Sequence, residues 1–227
     1  MVILHELKQN RVSFAVWTAA IGFLLAICVF MFPEMKGEMN GVTDMFSSMG
    51  SFTEAFGMDR LDFGSFIGFY AVECGNILGL GGAFFAALIG ISSLAKEEKE
   101  RTAEFLLTHP VSRVKIITGK ISAVLAQILL MNLLIFAVAV LSAVMIGEEI
   151  PWKELSLIHL ANLLLHAELA CVCFGISAFL RRGGLGVGLG LAAVLYFLNI
   201  IANISEKAEF LKYITPFGYT EAADILA

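Results

Sequence analysis

Glu73, His166 and Glu168 are titratable side chains inside apolar runs of the chain. His166 and Glu168 lie near the middle of the run at residues 158–180, and Glu73 lies a turn inside the run at 71–94. A charged group in hydrocarbon costs on the order of 3 kcal/mol and normally faces a bundle interior or a water-filled cavity. Glu73, His166 and Glu168 are therefore candidates for lining a path across a membrane. The competing role for Glu168 is a neutral, hydrogen-bonded carboxyl that fastens helices together. Two positions apart on a helix, His166 and Glu168 point about 200° away from each other, so they do not form a ligand pair.

Other chemistries lack a necessary group. A phosphate-cradling loop needs Gly-x4-Gly-Lys-[Ser/Thr], and around Gly119-Lys120 the chain has Val114 in place of the first glycine and Ile121 in place of the hydroxyl. No nucleotide, and no other cofactor, is expected on this chain. An intramembrane Glu/His metalloprotease would carry Glu-Glu-x3-Arg or His-Glu-x2-His within a span. Glu97-Glu98-x-Glu100-Arg101 misses that spacing and falls between spans. Met31, Met35 and Met39, then Met45 and Met49, recur four apart, which would align thioethers suited to copper(I). The same spacing serves short helices lying on the lipid interface, and that is the reading adopted. Cys28, Cys74, Cys171 and Cys173 sit in apolar runs without a Cys-x-x-Cys pair, so they imply neither a disulfide framework nor a zinc site.

The elements that must position these groups follow from composition. With 59% hydrophobic and 15% charged residues and a mean hydropathy of +0.85, the chain is far less charged than soluble proteins, at about 25%. Runs at 12–32, 71–94, 121–146, 158–180 and 183–204 each approach the roughly 20 residues that span hydrocarbon as a helix. The fold class expected is all-α, a polytopic bundle of five apolar spans in one transmembrane domain covering 1–227. An amphipathic helix near the N-terminus is expected to lie at the interface, because Val2, Ile3, Leu4 and Leu7 alternate with His5, Glu6, Lys8 and Arg11. The first run is too long for a signal-peptide core, so it is read as a retained helix. Residues 33–70 form an outer loop and 205–227 an outer C-terminal segment. Small residues at Gly75, Gly79, Gly82, Ala86 and Gly90, and again at Gly183, Gly184, Gly186, Gly188 and Gly190, would let helix backbones approach closely in lipid. Gln127 and Asn132 need polar partners on neighbouring helices.

Between the second and third spans, residues 95–120 carry the longest charged run of the chain, KEEKERTAEFLLTHPVSRVKIITGK. Its first half reads as a helix, charged and then apolar, that Pro110 closes. The run Glu97-x3-Arg101-Thr102-x-Glu104-x-Leu106-Leu107-x2-Pro110-Val111-Ser112-Arg113, with Lys120 at the mouth of the next span, resembles the intracellular loop of type-2 ABC transporter permeases. Many relatives have Gly where Arg101 stands. The resemblance implies that Glu97, Glu98, Arg101, Thr102, Glu104, Phe105, Leu106, Leu107, Pro110 and Arg113 form a coupling element docked into a cleft of a separate ABC ATPase subunit, where ATP and Mg would bind. It implies two permease chains, as a homodimer or a heterodimer, working with two ATPase chains. It also implies a sixth span, and the approach from Pro216 to Leu226 leads to the expectation that the natural reading frame continues into another apolar run.

Charge placement orients the bundle. With the N-terminus in the cytosol, inner positions hold Lys8, Arg11, Lys96, Lys99, Arg101, Arg113, Lys115, Lys120, Arg181 and Arg182, ten of the fifteen basic residues. That bias matches the rule that Lys and Arg near span ends stay inside. The reading is a permease subunit in the plasma membrane, partnered by lipid, with no role in nucleic-acid binding and with ATP hydrolysis left to another chain. Its cargo leans hydrophobic or amphipathic, since the bundle is apolar and glycine-lined. A secondary transporter would show an inverted repeat with helices broken at midplane, and no convincing one is present.

Overall fold

The computed structural model describes residues 2–37, 50, 53, 55, 58–99, 112–180 and 184–226. Helix α1 is Val2–Gln9, α2 is Arg11–Gly37, α3 is Phe66–Phe69, α4 is Gly75–Lys99, α5 is Arg113–Ile146, α6 is Trp152–Ser177, α7 is Leu185–Ile204 and α8 is Ala222–Leu226. A π-turn over Tyr70–Cys74 joins α3 to α4, and 3-10 segments at Glu206–Tyr213 and Pro216–Thr220 separate α7 from α8. No strand occurs among the described residues. Among the described residues, five helical segments are long and apolar enough to cross a membrane: Arg11–Gly37, Phe66–Glu97, Arg113–Ile146, Trp152–Ser177 and Leu185–Ile204.

Several bounds differ from the sequence expectation. Helix α2 continues through Pro33 to Gly37 instead of stopping at 32. Proline removes the donor to the Val29 carbonyl, yet the extra turn is held from outside. Phe32 packs on Phe66 and Phe69 with ring centroids 5.5 and 5.2 Å apart, and Lys36 pairs with Glu148 at 2.7 Å. The second span starts earlier, because the Ser65 hydroxyl caps α3 by accepting from the Gly68 amide at 3.2 Å and the π-turn carries the helix onward. The 95–120 loop is shorter than expected, since α4 runs to Lys99 and α5 begins at Arg113. Ser112 is the physical reason for the later boundary, its Oγ accepting from the Lys115 amide at 3.3 Å. The fourth span is Trp152–Ser177 rather than 158–180, and Gly147, at φ 77°, turns the chain between α5 and α6 as a left-handed C-cap.

Helix α4 is the centre of the bundle. In its most apolar window 61% of residues are buried, against 22% for α2 and for α7, which lie at the periphery. Its small residues explain why. Ala83, Ala86 and Ala87 are wholly buried, and a Cβ added at Gly90 would stand 2.5 Å from the Ala170 carbonyl of α6. Gly82 lies so close to the His166 ring that a side chain there has no room. The second glycine series is used only in part. Gly184 and Gly188 pack against Ile91 of α4, whereas Gly186 and Gly190 face open space, because residues two apart on a helix point to opposite sides.

Candidate functional site

Three polar layers cross this apolar bundle. At the end where α1 lies beside the end of α4 and the start of α5, Lys120 of α5 is buried and its Nζ donates to Glu6 Oε1 at 2.6 Å, Glu97 Oε1 at 2.6 Å and the Ser93 carbonyl at 3.0 Å. One ammonium thus ties α1 to both of these helices. The buried Glu6 and the part-buried Glu97 carboxylates share it, and the low-dielectric surroundings strengthen the contacts it makes. Glu6 is the only side chain of the described part of α1 that is buried, which fixes the orientation of that amphipathic helix. Sequence reasoning treated Lys120 and Glu6 as interfacial charges. The signal available was their placement at the two ends of the same predicted inner surface.

The middle layer is built on α6. The His166 side chain is wholly buried, with Nδ1 3.1 Å from Asn132 Nδ2 of α5 and Nε2 3.4 Å from the Gly79 carbonyl of α4. The Asn132 amide donates to Nδ1, so the ring proton sits on Nε2 and points at Gly79. Two turns earlier on α6, His159 Nε2 lies 2.7 Å from the hydroxyl of Tyr70, whose side chain the π-turn aims inward. Asn132 therefore finds the interhelical partner that its position required. Gln127 does not, since its Nε2 donates to Ala123 of its own helix at 3.2 Å.

The far end forms the third layer. Glu221 Oε2 accepts from Asn199 Nδ2 at 3.0 Å and Asn203 Nδ2 at 3.2 Å, and Thr215 Oγ1 donates to the Leu195 carbonyl at 2.8 Å. These bonds strap the C-terminal segment across α7. Beneath it, Asn76, Asn162, Tyr196 and Glu221 line a cavity of about 50 Å³. An ion pair between Arg60 and Asp224 closes the same end.

The expected path residues do not form one site. His166 faces α4 and α5, whereas Glu168 is exposed on another side of α6 and makes no hydrogen bond or ion pair with described residues. Glu73 lies in the π-turn, half-buried beside Cys74. Of the expected coupling residues, Glu97 reaches Lys120 and Arg113 opens α5 on an exposed turn. Arg101, Thr102, Glu104, Phe105, Leu106, Leu107 and Pro110, the side chain of Glu98, and Arg181-Arg182 lie outside the described residues, as do Met39, Met45 and Met49. The four cysteines are free thiols.

The model of the ABC-2 family transporter proteins matches residues 1–223. The chain belongs to the ABC-2 transporter family. Comparison with the curated proteins and with the solved structures returns no match. An ABC-2 permease is a transport subunit, and the five apolar helices make this one a multi-pass membrane protein. The three polar layers lie at the two ends and in the middle of the helical bundle of this ABC-2 permease.

Proposed function

We propose that this chain is the permease of an ATP-driven exporter for hydrophobic or amphipathic cargo, with its N-terminus in the cytosol and the 97–113 connection docked on a separate ATPase subunit. Two permease chains and two ATPase chains make up the working unit in the plasma membrane. The observation that carries the coupling reading is the Lys120 cluster. Because Nζ of Lys120 bridges Glu97 at the end of α4 and Glu6 of α1, a push on the connection moves α1, α4 and α5 together instead of bending one helix end. The family match over 1–223 supports the role of permease, and an apolar, glycine-packed bundle supports cargo that partitions into lipid.

Co-purification with a candidate ATPase tests it. Leu107→Asp, placing a charge on the apolar side of the 97–113 segment, is expected to weaken assembly by about two decades, the equivalent of a few kcal/mol. Expression and membrane insertion should stay unchanged, since Leu107 is in no span. Normal transport by that variant with its partner would reduce the connection to a solvated linker, and loss of expression would show its apolar side packed within the chain.

A further inference from the structure

The cavity beneath the C-terminal strap, about 50 Å³, holds a few water-sized particles, each needing roughly 10–15 Å³. More of its wall is polar than apolar, and the bonds already made fix what the polar groups offer. Asn76 Nδ2 donates to the Val72 carbonyl at 2.7 Å, Asn162 Nδ2 to the Ile158 carbonyl at 2.9 Å and Asn199 Nδ2 to Glu221 Oε2 at 3.0 Å. Turning any of these amides over would set oxygen against oxygen. Each nitrogen is therefore turned to a protein acceptor, and the carbonyl oxygen is the other end of the group. The hydroxyl protons of Tyr196 and Thr220 are spent as well, on Asn76 Oδ1 at 3.3 Å and on the Phe217 carbonyl at 3.0 Å.

The wall is thus rich in acceptors, and it carries one charge. Glu221 is the only ionisable carboxylate or base that lines it among the described residues. Two neutral amides, Asn199 and Asn203, hold that carboxylate, and no Lys, Arg or His among the described residues forms an ion pair with it. On the opposite wall, Asn162 Oδ1 faces Gly79 of α4, where a Cβ would stand 3.2 Å from it, and Gly79 lines the cavity too. The missing side chain leaves that oxygen room for a partner.

We propose that this cavity binds one small monovalent cation, sodium or potassium, through the Glu221 carboxylate and the side-chain oxygens of Asn76 and Asn162. Carbonyl dipoles replace the hydration shell of such an ion, and its single charge matches the one carboxylate. An anion would meet oxygen on every side, and a divalent ion would bring twice the charge that the wall can neutralise. The ion joins the strap to the rest of the bundle. The strap's own bonds run to α7 through Glu221 and Thr215, whereas the ion adds α4 through Asn76 and α6 through Asn162. The site needs neither an ATPase nor a cargo, so it stands apart from the export reading.

The test is thermal unfolding of the purified full chain in micelles at constant ionic strength, with sodium chloride or potassium chloride replacing N-methylglucamine chloride, whose cation is too large for the cavity. A saturable rise in melting temperature is expected with at least one of the small ions, and the more effective one is the occupant. Glu221→Gln keeps an acceptor for Asn199 and Asn203 but removes the charge. Asn162→Leu keeps the shape but removes an oxygen. Each should raise the half-saturating concentration about tenfold or more, the margin of one charge-assisted contact. Glu148→Gln, which removes a carboxylate at the same end of the bundle but outside the cavity, should leave it unchanged. Melting indifferent to the cation would leave only water in the cavity and overturn the site, as would a response that both Glu221→Gln and Asn162→Leu leave unaltered. Should those variants fail to fold, dialysis of the unaltered chain against radioactive sodium and rubidium decides: a single ion retained per chain supports the site and none retained overturns it.

Discussion

Lys120 shows how one residue can hold a junction together. Its ammonium lies 2.6 Å from each of two carboxylates on different helices, and burial leaves no solvent to take its place. Lys120→Met keeps the length of the side chain but removes the ammonium that the Glu6 and Glu97 carboxylates share and leaves the buried Glu6 carboxylate without it. It is expected to cost about 3–5 kcal/mol, read as a lower unfolding temperature of the purified chain in micelles. Adding Glu6→Gln and Glu97→Gln to that variant should restore most of the loss, since amides carry no charge to be neutralised. An unchanged melting temperature for Lys120→Met alone would mean that the cluster contributes nothing to the fold.

Among the elements, α4 depends on what it lacks. Gly82 and Gly90 admit the His166 ring and the Ala170 carbonyl of α6 where any side chain would collide. Gly82→Ala and Gly90→Ala are therefore expected to destabilise by about 1–3 kcal/mol through overpacking. Gly186→Ala on α7, where nothing lies within 4 Å, should be neutral or stabilising by up to about 1 kcal/mol from helix propensity; thermal unfolding of the three variants side by side checks the ranking. This part of the fold was legible in the sequence, because small residues four apart carry their own geometric meaning and the apolar runs announce their length. What stayed hidden depends on residues far apart in the chain. Nothing local distinguishes Tyr70, at the edge of a loop, from other interfacial tyrosines until the π-turn aims it at His159, and Glu221 becomes a strap only against Asn199 and Asn203. The end of the uncharged run placed the end of the first span at residue 32, and ring packing with an ion pair carried α2 to Gly37. The pairing of His166 with Glu168 was correctly rejected on helical angle alone, but that His166 would bond Asn132 could not be read from spacing.

For the whole molecule, orientation and energy supply are the properties to test. In a background with the four native cysteines replaced, single cysteines at position 99 should resist an impermeant thiol reagent in intact cells, while those at 148 and 207 should react; labelling at 99 would reverse the bundle and end the coupling reading. The isolated chain is expected to hydrolyse no ATP, with turnover appearing once a nucleotide-binding subunit is added, and micromolar nucleotide affinity of the chain alone would contradict this. Chain order gives the Lys120 junction a further meaning. Glu6 and Lys120 are 114 positions apart, so at about 5–20 residues per second the ribosome needs on the order of ten seconds after making the first helix before its counter-ion exists. The earliest segment to emerge is thus locked only when the third of five spans has been made, and until then α1 waits with its acidic side chain still in water.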